Sequence, residues 1–492
     1  MDPITFNNSY MRLPQQFYTR QAPVPVAAPE PIRINRQLAE QLGIDADWLN
    51  SDAGTKVVAG NAVPAGSEPL ASVYAGHQFG GFNPQLGDGR AVLLGEVLSL
   101  EGRRFDLQLK GSGPTPYSRG GDGRSPIGPV LREYIVSEAM HRLGVPTTRA
   151  LAAATTGEMV QRDRFLPGAV LARVASSHIR IGSFEYFAAR RDSESLQLLS
   201  HHVIDRHYPD ANKSANPILA MLEAIISQQA RLMAHWQLLG FIHGVMNTDN
   251  MLVCGETVDY GPCAFMDQFN PDQVFSSIDH AGRYAYRQQP AIAHWNLSIL
   301  AQALLPILDN DQERAVEQAQ QAINTFPDQF LQANTQGMAH KLGLQTLEGP
   351  DTALVEDLWQ LMAEHELDFT LTFRRLADLA DERPEADDSV AELFEFPDSL
   401  QPWLTRWRMR LEQESTSSAD RQASMYRTNP VFIPRNHLVE AAIASATDKD
   451  DLSAFNQMVD TLENPYQYRK ALALFASPPE PDQVVTQTFC GT

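Results

Sequence analysis

The sequence has only three cysteines in 492 residues, Cys254, Cys263 and Cys490. So few, so scattered, exclude a disulfide framework and a cysteine-rich zinc site, and they fit a reducing compartment. Basic side chains are also in short supply: 39 lysines and arginines face 60 acidic residues, a formal charge of −21. A surface of that sign repels nucleic-acid backbones and anionic membranes, so neither is expected as a partner. A bound polyphosphate would need a local cluster of cations set against that field. No apolar run approaches the roughly 18 residues of a membrane span, and residues 1–10 lack a basic stretch leading into an apolar one. A cytoplasmic location is expected. Internal repeats and long low-complexity tracts are absent as well.

What is present is ordinary for a folded protein: 43% apolar and 20% charged residues, in a chain long enough to bury more than one core. A proline-rich opening, residues 13–31, leads into a short helix over 35–42 closed by Gly43. From about 80 to 175, short apolar stretches (91–98, 105–109) alternate with glycine-rich turns and surround one helix. That helix runs from Pro129, a favoured first-turn residue, to Gly144 and Val145-Pro146. Over 216–239, Leu219, Leu222, Ile225, Ile226, Leu232, Met233, Trp236 and Leu239 recur at helical spacing, and Gly240 ends the run. Beyond a loop-and-strand region to Asp267 the pattern is mostly helical, with 381–388 and 412–423 as polar linkers.

Directly after the long helix stands His243-Gly244-Val245-Met246-Asn247-Thr248-Asp249-Asn250, and nine residues on Asp259-Tyr260-Gly261. The protein-kinase catalytic loop reads H-R-D-L-x-x-x-N and is followed by a metal-binding D-F-G. His243 and Asn250 keep that spacing, and Asp259-Tyr260-Gly261 takes the place of the triplet. Asparagine, aspartate and glycine are also the usual turn residues. Both motifs together, in kinase order after a buried helix, favour metal ligation, and Asn250 and Asp259 offer hard oxygens suited to Mg2+ or Mn2+. The kinase base position is Val245, which accepts no proton. Asp249 is the nearest carboxylate for that task.

Lys110 ends an alternating strand, as the phosphate-binding lysine of a kinase ends its third strand. Glu133 shares a helix face with Val136 and Met140, so it is expected to be sheltered and to pair with Lys110. Glu138, four residues before Arg142, is expected to form a surface pair. Two glycine-rich loops flank Lys110: Gly87-Asp88-Gly89-Arg90, and Gly120 to Arg124 with Asp122 and Gly123. Neither fits G-x-G-x-x-G or a Walker loop, yet both let backbone amides approach phosphate. Arg173 and Arg180 are candidates for a phosphate clamp, the alternative being two surface salt bridges.

Longer motifs make the comparison specific. Tyr74-Ala75-Gly76-His77-Gln78-Phe79-Gly80, Gln85-Leu86-Gly87-Asp88-Gly89-Arg90-Ala91, Leu109 through Arg119, Leu131-Arg132-Glu133-Tyr134, the 243–250 loop and Gln289-Pro290 leading to Trp295-Asn296-Leu297 resemble the selenoprotein O, or YdiU, family of protein adenylyltransferases. The resemblance runs nearly end to end. It implies an α+β, protein-kinase-like two-lobed fold: an N-terminal extension (1–79), a first lobe (80–176), a second lobe (177–345) and a mainly helical C-terminal region (346–492). It also implies a nucleotide turned round, so that AMP from ATP, or UMP from UTP, passes to Ser, Thr or Tyr hydroxyls of proteins. Gly87, Gly89, Arg90, Lys110, Asp122, Gly123, Arg173 and Arg180 then contact the nucleotide, Glu133 holds Lys110, Asn250 and Asp259 hold the metal, and Asp249 is the base. Some family members carry a redox-active cysteine third from the C-terminus. Cys490 holds that place, with Cys254 and Cys263 the nearby thiols. The competing readings are a phosphotransferase on the same scaffold and a nucleotide-binding scaffold without activity.

Overall fold

A computed structural model describes residues 3–381 and 389–489. Among these, nine strands form one antiparallel sheet: β1 (Tyr18–Arg20), β2 (Pro31–Ile34), β3 (Leu70–Gln78), β4 (Gly81–Gly87), β5 (Ala91–Leu98), β6 (Arg104–Lys110), β7 (Ser125–Pro126), β8 (Arg149–Gln161) and β9 (Phe165–Ala175). The order is β1-β3-β5-β6-β9-β8-β2, with β4 added to β3 and β7 to β9. The sheet therefore begins well before residue 80. The proline-rich opening supplies both ends of the order, where a missing N–H costs no ladder bond, and Pro31 is the first residue of its strand.

One face of the sheet is covered by short N-terminal helices through Leu38, Leu49 and Val57, packed on Leu94, Leu107, Leu109 and Val174. Against the other lies the helix Ile127–Arg142, whose Leu131 and Ile135 meet Ala150, Ala153 and Leu171. The helices Asn436–Lys449 and Ser453–Leu462 close over its outer side with Val439, Ala442 and Phe455. It starts two residues before Pro129 and has 13 of its 16 residues buried. That enclosure corrects the expectation for Glu138, which is buried and not paired with Arg142. It accepts two hydrogen bonds from Arg149 at 2.9 and 2.7 Å, one from the Ala150 amide at 2.9 Å and one from Asn35 at 2.7 Å.

The long helix is Pro217–Leu239, capped by the Asn216 side chain and ended by Gly240 at φ +67°. Its Met221, Leu222, Ile225, Ile226 and Met233 are fully buried in a core shared with the helix Gln289–Leu308. By length and composition the segment Tyr286–Leu308 is apolar enough to cross a bilayer, contrary to the expectation that no run comes close. Here Leu297, Leu300 and Leu304 are buried in that core, and Asn296 donates to the Met246 carbonyl, which is the role of a core helix. Helices make up most of the described chain beyond it.

The N-terminal segment is fastened by Glu96 of β5. This buried carboxylate accepts from the Ser9 amide (3.0 Å), the Ser9 hydroxyl (2.6 Å), the Tyr10 amide and Arg104 (2.9 Å), and Arg206 lies 3.6 Å away. Removing one member of a buried charged network leaves the others uncompensated, at a cost of about 3 kcal/mol. Glu96→Ala should accordingly lower the thermal unfolding midpoint and expose the first ten residues to limited proteolysis. An unchanged midpoint and digestion pattern would show that Glu96 holds nothing.

Candidate active site

Three elements deliver cations to one carboxylate. Lys110, the last residue of β6, places its Nζ 2.6 Å from Glu133 Oε2 and 2.8 Å from Asp259 Oδ1. Arg173 stands opposite Gln108 in the β6–β9 ladder. Its Nη1 reaches Glu133 Oε1 (2.9 Å) and Asp259 Oδ1 (2.7 Å), while Nε donates to Gln108 (2.8 Å). Arg180, which precedes the helix Ile181–Ala189, donates to Asp259 Oδ2 at 2.7 Å and to the Asp249 carbonyl. Both arginines are buried, so neither is a surface pair. Burial alone would raise the Asp259 carboxyl, but Lys110, Arg173 and Arg180 outweigh it and hold the group well below the usual carboxylate range. The same balance, with Lys110 and Arg173, lowers Glu133. Asp259 has φ +59°, a left-handed conformation uncommon outside glycine, which these three partners fix.

The 243–250 loop is set from within and from outside. His243 bonds through Nε2 to the Val258 carbonyl at 2.8 Å and stacks on Trp236, tying the loop to the residue before Asp259. Asn250 Nδ2 donates to the Val245 carbonyl at 2.9 Å, which uses its nitrogen and leaves its oxygen as a donor atom. From the sheet, the β3–β4 hairpin reaches over the loop: the His77 amide bonds Thr248 Oγ1 (2.7 Å), Gln78 Nε2 bonds Asp249 Oδ2 (3.0 Å), and the Phe79 amide bonds Asn247 (3.1 Å). Asp249 Oδ1 is buried without a partner and faces Gly76, where an added Cβ would lie 2.6 Å from it. Burial pushes the Asp249 carboxyl up to about 6, against the lowering pull of the Gln78 hydrogen bond and Arg180.

Gly87, Gly89, Arg90, Lys110, Asp122, Gly123, Arg173, Arg180, Asp249, Asn250 and Asp259 all line one cavity of about 480 Å³. Glu133 stands behind Lys110. A Cβ on Gly87 would lie 2.4 Å from the Tyr117 ring, and one on Gly123 2.2 Å from the Gly113 backbone, so both loops need glycine to close as they do. Seven cations line the cavity (Arg90, Lys110, Arg119, Arg124, Arg162, Arg173 and Arg180) against four carboxylates (Asp88, Asp122, Asp249 and Asp259). In a chain of charge −21 this is the local excess that a polyphosphate requires. Asp122 points away from a purely binding role: it accepts two bonds from Arg162, at 2.9 and 3.2 Å, and one from the Arg124 amide, which pins the second loop. Sequence reasoning missed Gln78, Asp88, Gln108 and Arg162, although Gln78 and Asp88 lie inside the quoted motifs.

Among the described residues no three His, Cys, Asp or Glu side chains group as a ready metal cage. The donors present, one carboxylate and one amide oxygen, with Asp249 Oδ1 buried and unpartnered nearby, suit a cation that completes its shell with phosphate and water, as Mg2+ does.

Comparisons with known proteins show the family. A family model described as protein adenylyltransferase SelO matches residues 2–463. The chain belongs to the SelO family. It is 56% identical over 487 residues to a protein nucleotidyltransferase YdiU of Bradyrhizobium diazoefficiens, covering 99% of each chain. It is also 56% identical over 492 residues to the YdiU of Rhizobium meliloti, covering 100% of each. Of the cysteines that the SelO resemblance singles out, Cys490 lies outside the described residues. Cys263 is fully buried, and burial pushes the Cys254 thiol up.

Because Asp259 gathers Lys110, Arg173 and Arg180, Asp259→Asn should free those cations while removing the charged metal ligand. Nucleotide binding, read as the thermal shift on adding ATP, should persist, whereas nucleotidyl transfer should fall by roughly 10²-fold or more. Equal loss of the thermal shift and of turnover would mean that Asp259 organises the pocket and nothing else.

Proposed function

We propose that the protein transfers AMP from ATP to hydroxyls of protein serine, threonine or tyrosine, with pyrophosphate as the leaving group, and that UTP is the alternative donor. The observation that carries this reading is the cation-rich cavity that ends on Asp249, Asn250 and Asp259 while the position of the kinase base is Val245. Family membership and relatives named protein nucleotidyltransferase support it. The paired Lys110 and Glu133, and a metal-type asparagine and aspartate in one cavity, support the finer reading of a kinase-like, two-lobed scaffold divided near residues 80, 177 and 346. A cytoplasmic location is part of the same reading, resting on composition.

In the reaction, the acceptor oxygen attacks the α-phosphorus in line, a P–O bond forms, and the bond to the bridging oxygen of pyrophosphate breaks. Lys110, Arg173 and Arg180, which all line the cavity, hold phosphate oxygens and the departing pyrophosphate. Mg2+ or Mn2+ on Asn250 and Asp259 would supply further neutralisation of phosphate charge. Asp249, largely ionised at neutral pH, accepts a hydrogen bond from the acceptor hydroxyl and takes its proton late, because a loose transition state needs little early deprotonation.

ATP labelled on the α- or the γ-phosphate separates the readings. Adenylylation leaves only the α-label on protein, phosphorylation only the γ-label, and an inactive scaffold neither. Val245→Asp should not create γ-label transfer, and robust γ-label from the parent protein would overturn the proposal. Asp249→Ala should lower α-label transfer by roughly 10²- to 10⁴-fold with little effect on ATP binding.

A pH profile tests the same carboxylate. Its raised pKa means that the active, charged form is lost as pH falls, so kcat/KM should decline below about pH 6. Gln78→Leu removes a hydrogen bond that favours the charged form, so its acid limb should move to higher pH. Superimposable profiles for the two proteins would show that Gln78 does not act through Asp249.

A further inference from the structure

A second groove, of about 950 Å³, opens beside the nucleotide cavity and shares Arg162, Val245 and Pro262 with it. Ser276, Ser277 and Ile278 line it, as does the helix Asn436–Lys449, which contributes Ile443. Ile278 is 61% exposed on this surface. Residues 275–277 belong to no sheet, and a short stretch of the chain's own tail lies on them through one isolated parallel bridge, Ser276 to Thr488. The Thr488 amide donates to the Phe275 carbonyl (2.8 Å), the Ser277 amide donates to the Thr488 carbonyl (3.2 Å), and the two stretches run parallel. The Thr488 hydroxyl donates to the Pro262 carbonyl at 2.7 Å. A hydroxyl side chain on an extended segment is thus delivered to a residue of the wall between the two cavities. Beside it, Ser276 Oγ is buried without a hydrogen-bond partner.

We infer that this groove seats the acceptor polypeptide, its main chain laid along residues 275–277 where Thr488 now lies, and that the tail competes for the place. The inference rests on the protein-acceptor reading above. Such seating takes its affinity from main-chain hydrogen bonds, which any sequence supplies, and its selectivity from the pockets on either side. Here the pockets are the apolar surface at Ile278 and Ile443 and the charged rim at Arg162. Two backbone bonds and two side-chain bonds, from the Thr488 hydroxyl to the Pro262 carbonyl and at 3.4 Å to the Phe275 carbonyl, hold the tail here at Thr488. Displacing it exposes residues 275–277 without disturbing Lys110, Asp249 or Asp259.

The test uses the full-length protein, α-labelled ATP and dephosphorylated casein as an unfolded, hydroxyl-rich acceptor. Ile278→Arg should raise the KM for casein roughly three- to tenfold and leave the KM for ATP unchanged. Thr488→Pro, which removes the amide donated to Phe275, and Thr488→Val, which removes only the hydroxyl, should lower the KM for casein. A peptide of residues 481–489 should inhibit competitively against casein and not against ATP. Melting temperatures equal to the parent's confirm that the variants are folded. If the parent labels casein but Ile278→Arg matches it and the Thr488 variants leave the KM for casein unchanged or raise it, the groove assignment falls and the adenylyltransferase reading stands. No α-label on casein from the parent counts against the protein-acceptor reading itself. A photocrosslinker at position 278 that captures only a second copy of the chain would make this face a self-association surface and overturn the proposal.

Discussion

The Asp259 carboxylate, held by Lys110, Arg173 and Arg180, is the contact on which the arrangement of the site depends. It joins two strands of the sheet, the start of the helix Ile181–Ala189 and the loop that follows the long buried helix. Such a buried cluster adds little net stability, because the desolvation of each charge roughly cancels its attraction. What it provides is register: a residue with φ +59° is kept in place by three partners arriving from different directions. The same cations are a reserve of positive charge. They are balanced by Asp259 and Glu133, and in the proposed reaction phosphate oxygens would take up the same positive charge.

Much of this was legible in the sequence wherever a local rule decides. The helix Pro217–Leu239 follows from its 3.6-residue apolar spacing, with Asn216 and Gly240 at its ends. The Lys110–Glu133 pair follows from a strand ending in lysine and an acid on the apolar face of the next helix. Glu138 was misread because an i, i+4 pair assumes one solvent-facing side, and this helix has none. Its true partners, Arg149 and Asn35, lie 11 and 103 residues away. Gln78 was out of reach for the same reason: it meets Asp249 across 171 residues, and a glutamine at a hairpin tip carries no local mark of burial or function. The edge strand Tyr18–Arg20 is only three residues long in a proline-rich stretch, and Pro31–Ile34 begins with a proline, which argues against a central strand but not against an edge.

The hairpin between β3 and β4 explains why the loop holds its shape without the interactions that a carboxylate at position 245 would bring. His77, Gln78 and Phe79 bond Thr248, Asp249 and Asn247 in turn, so one strand end fixes three successive loop residues. Close approach is the condition for this, and Gly76 meets it: any side chain there would overlap the Asp249 carboxylate. The position of Asp249 is therefore set by the sheet as much as by the loop.

Val245 contributes to that shape through its backbone alone. Asn250 bonds the Val245 carbonyl, and His243 bonds Val258, so the loop closes whatever side chain stands at 245. That side chain is instead shared wall between the nucleotide cavity and the neighbouring groove. A charge there would sit within the same low-dielectric junction as Asp249 and Asp259, and like charges in such a place raise one another's pKa and compete for the same cations. An apolar residue leaves Asp249 as the carboxylate next to Asn250. The identity of residue 245 is thus decoupled from the folding of the loop and free to be set by chemistry, which is why a valine can occupy it while the asparagine and aspartate around it remain in place.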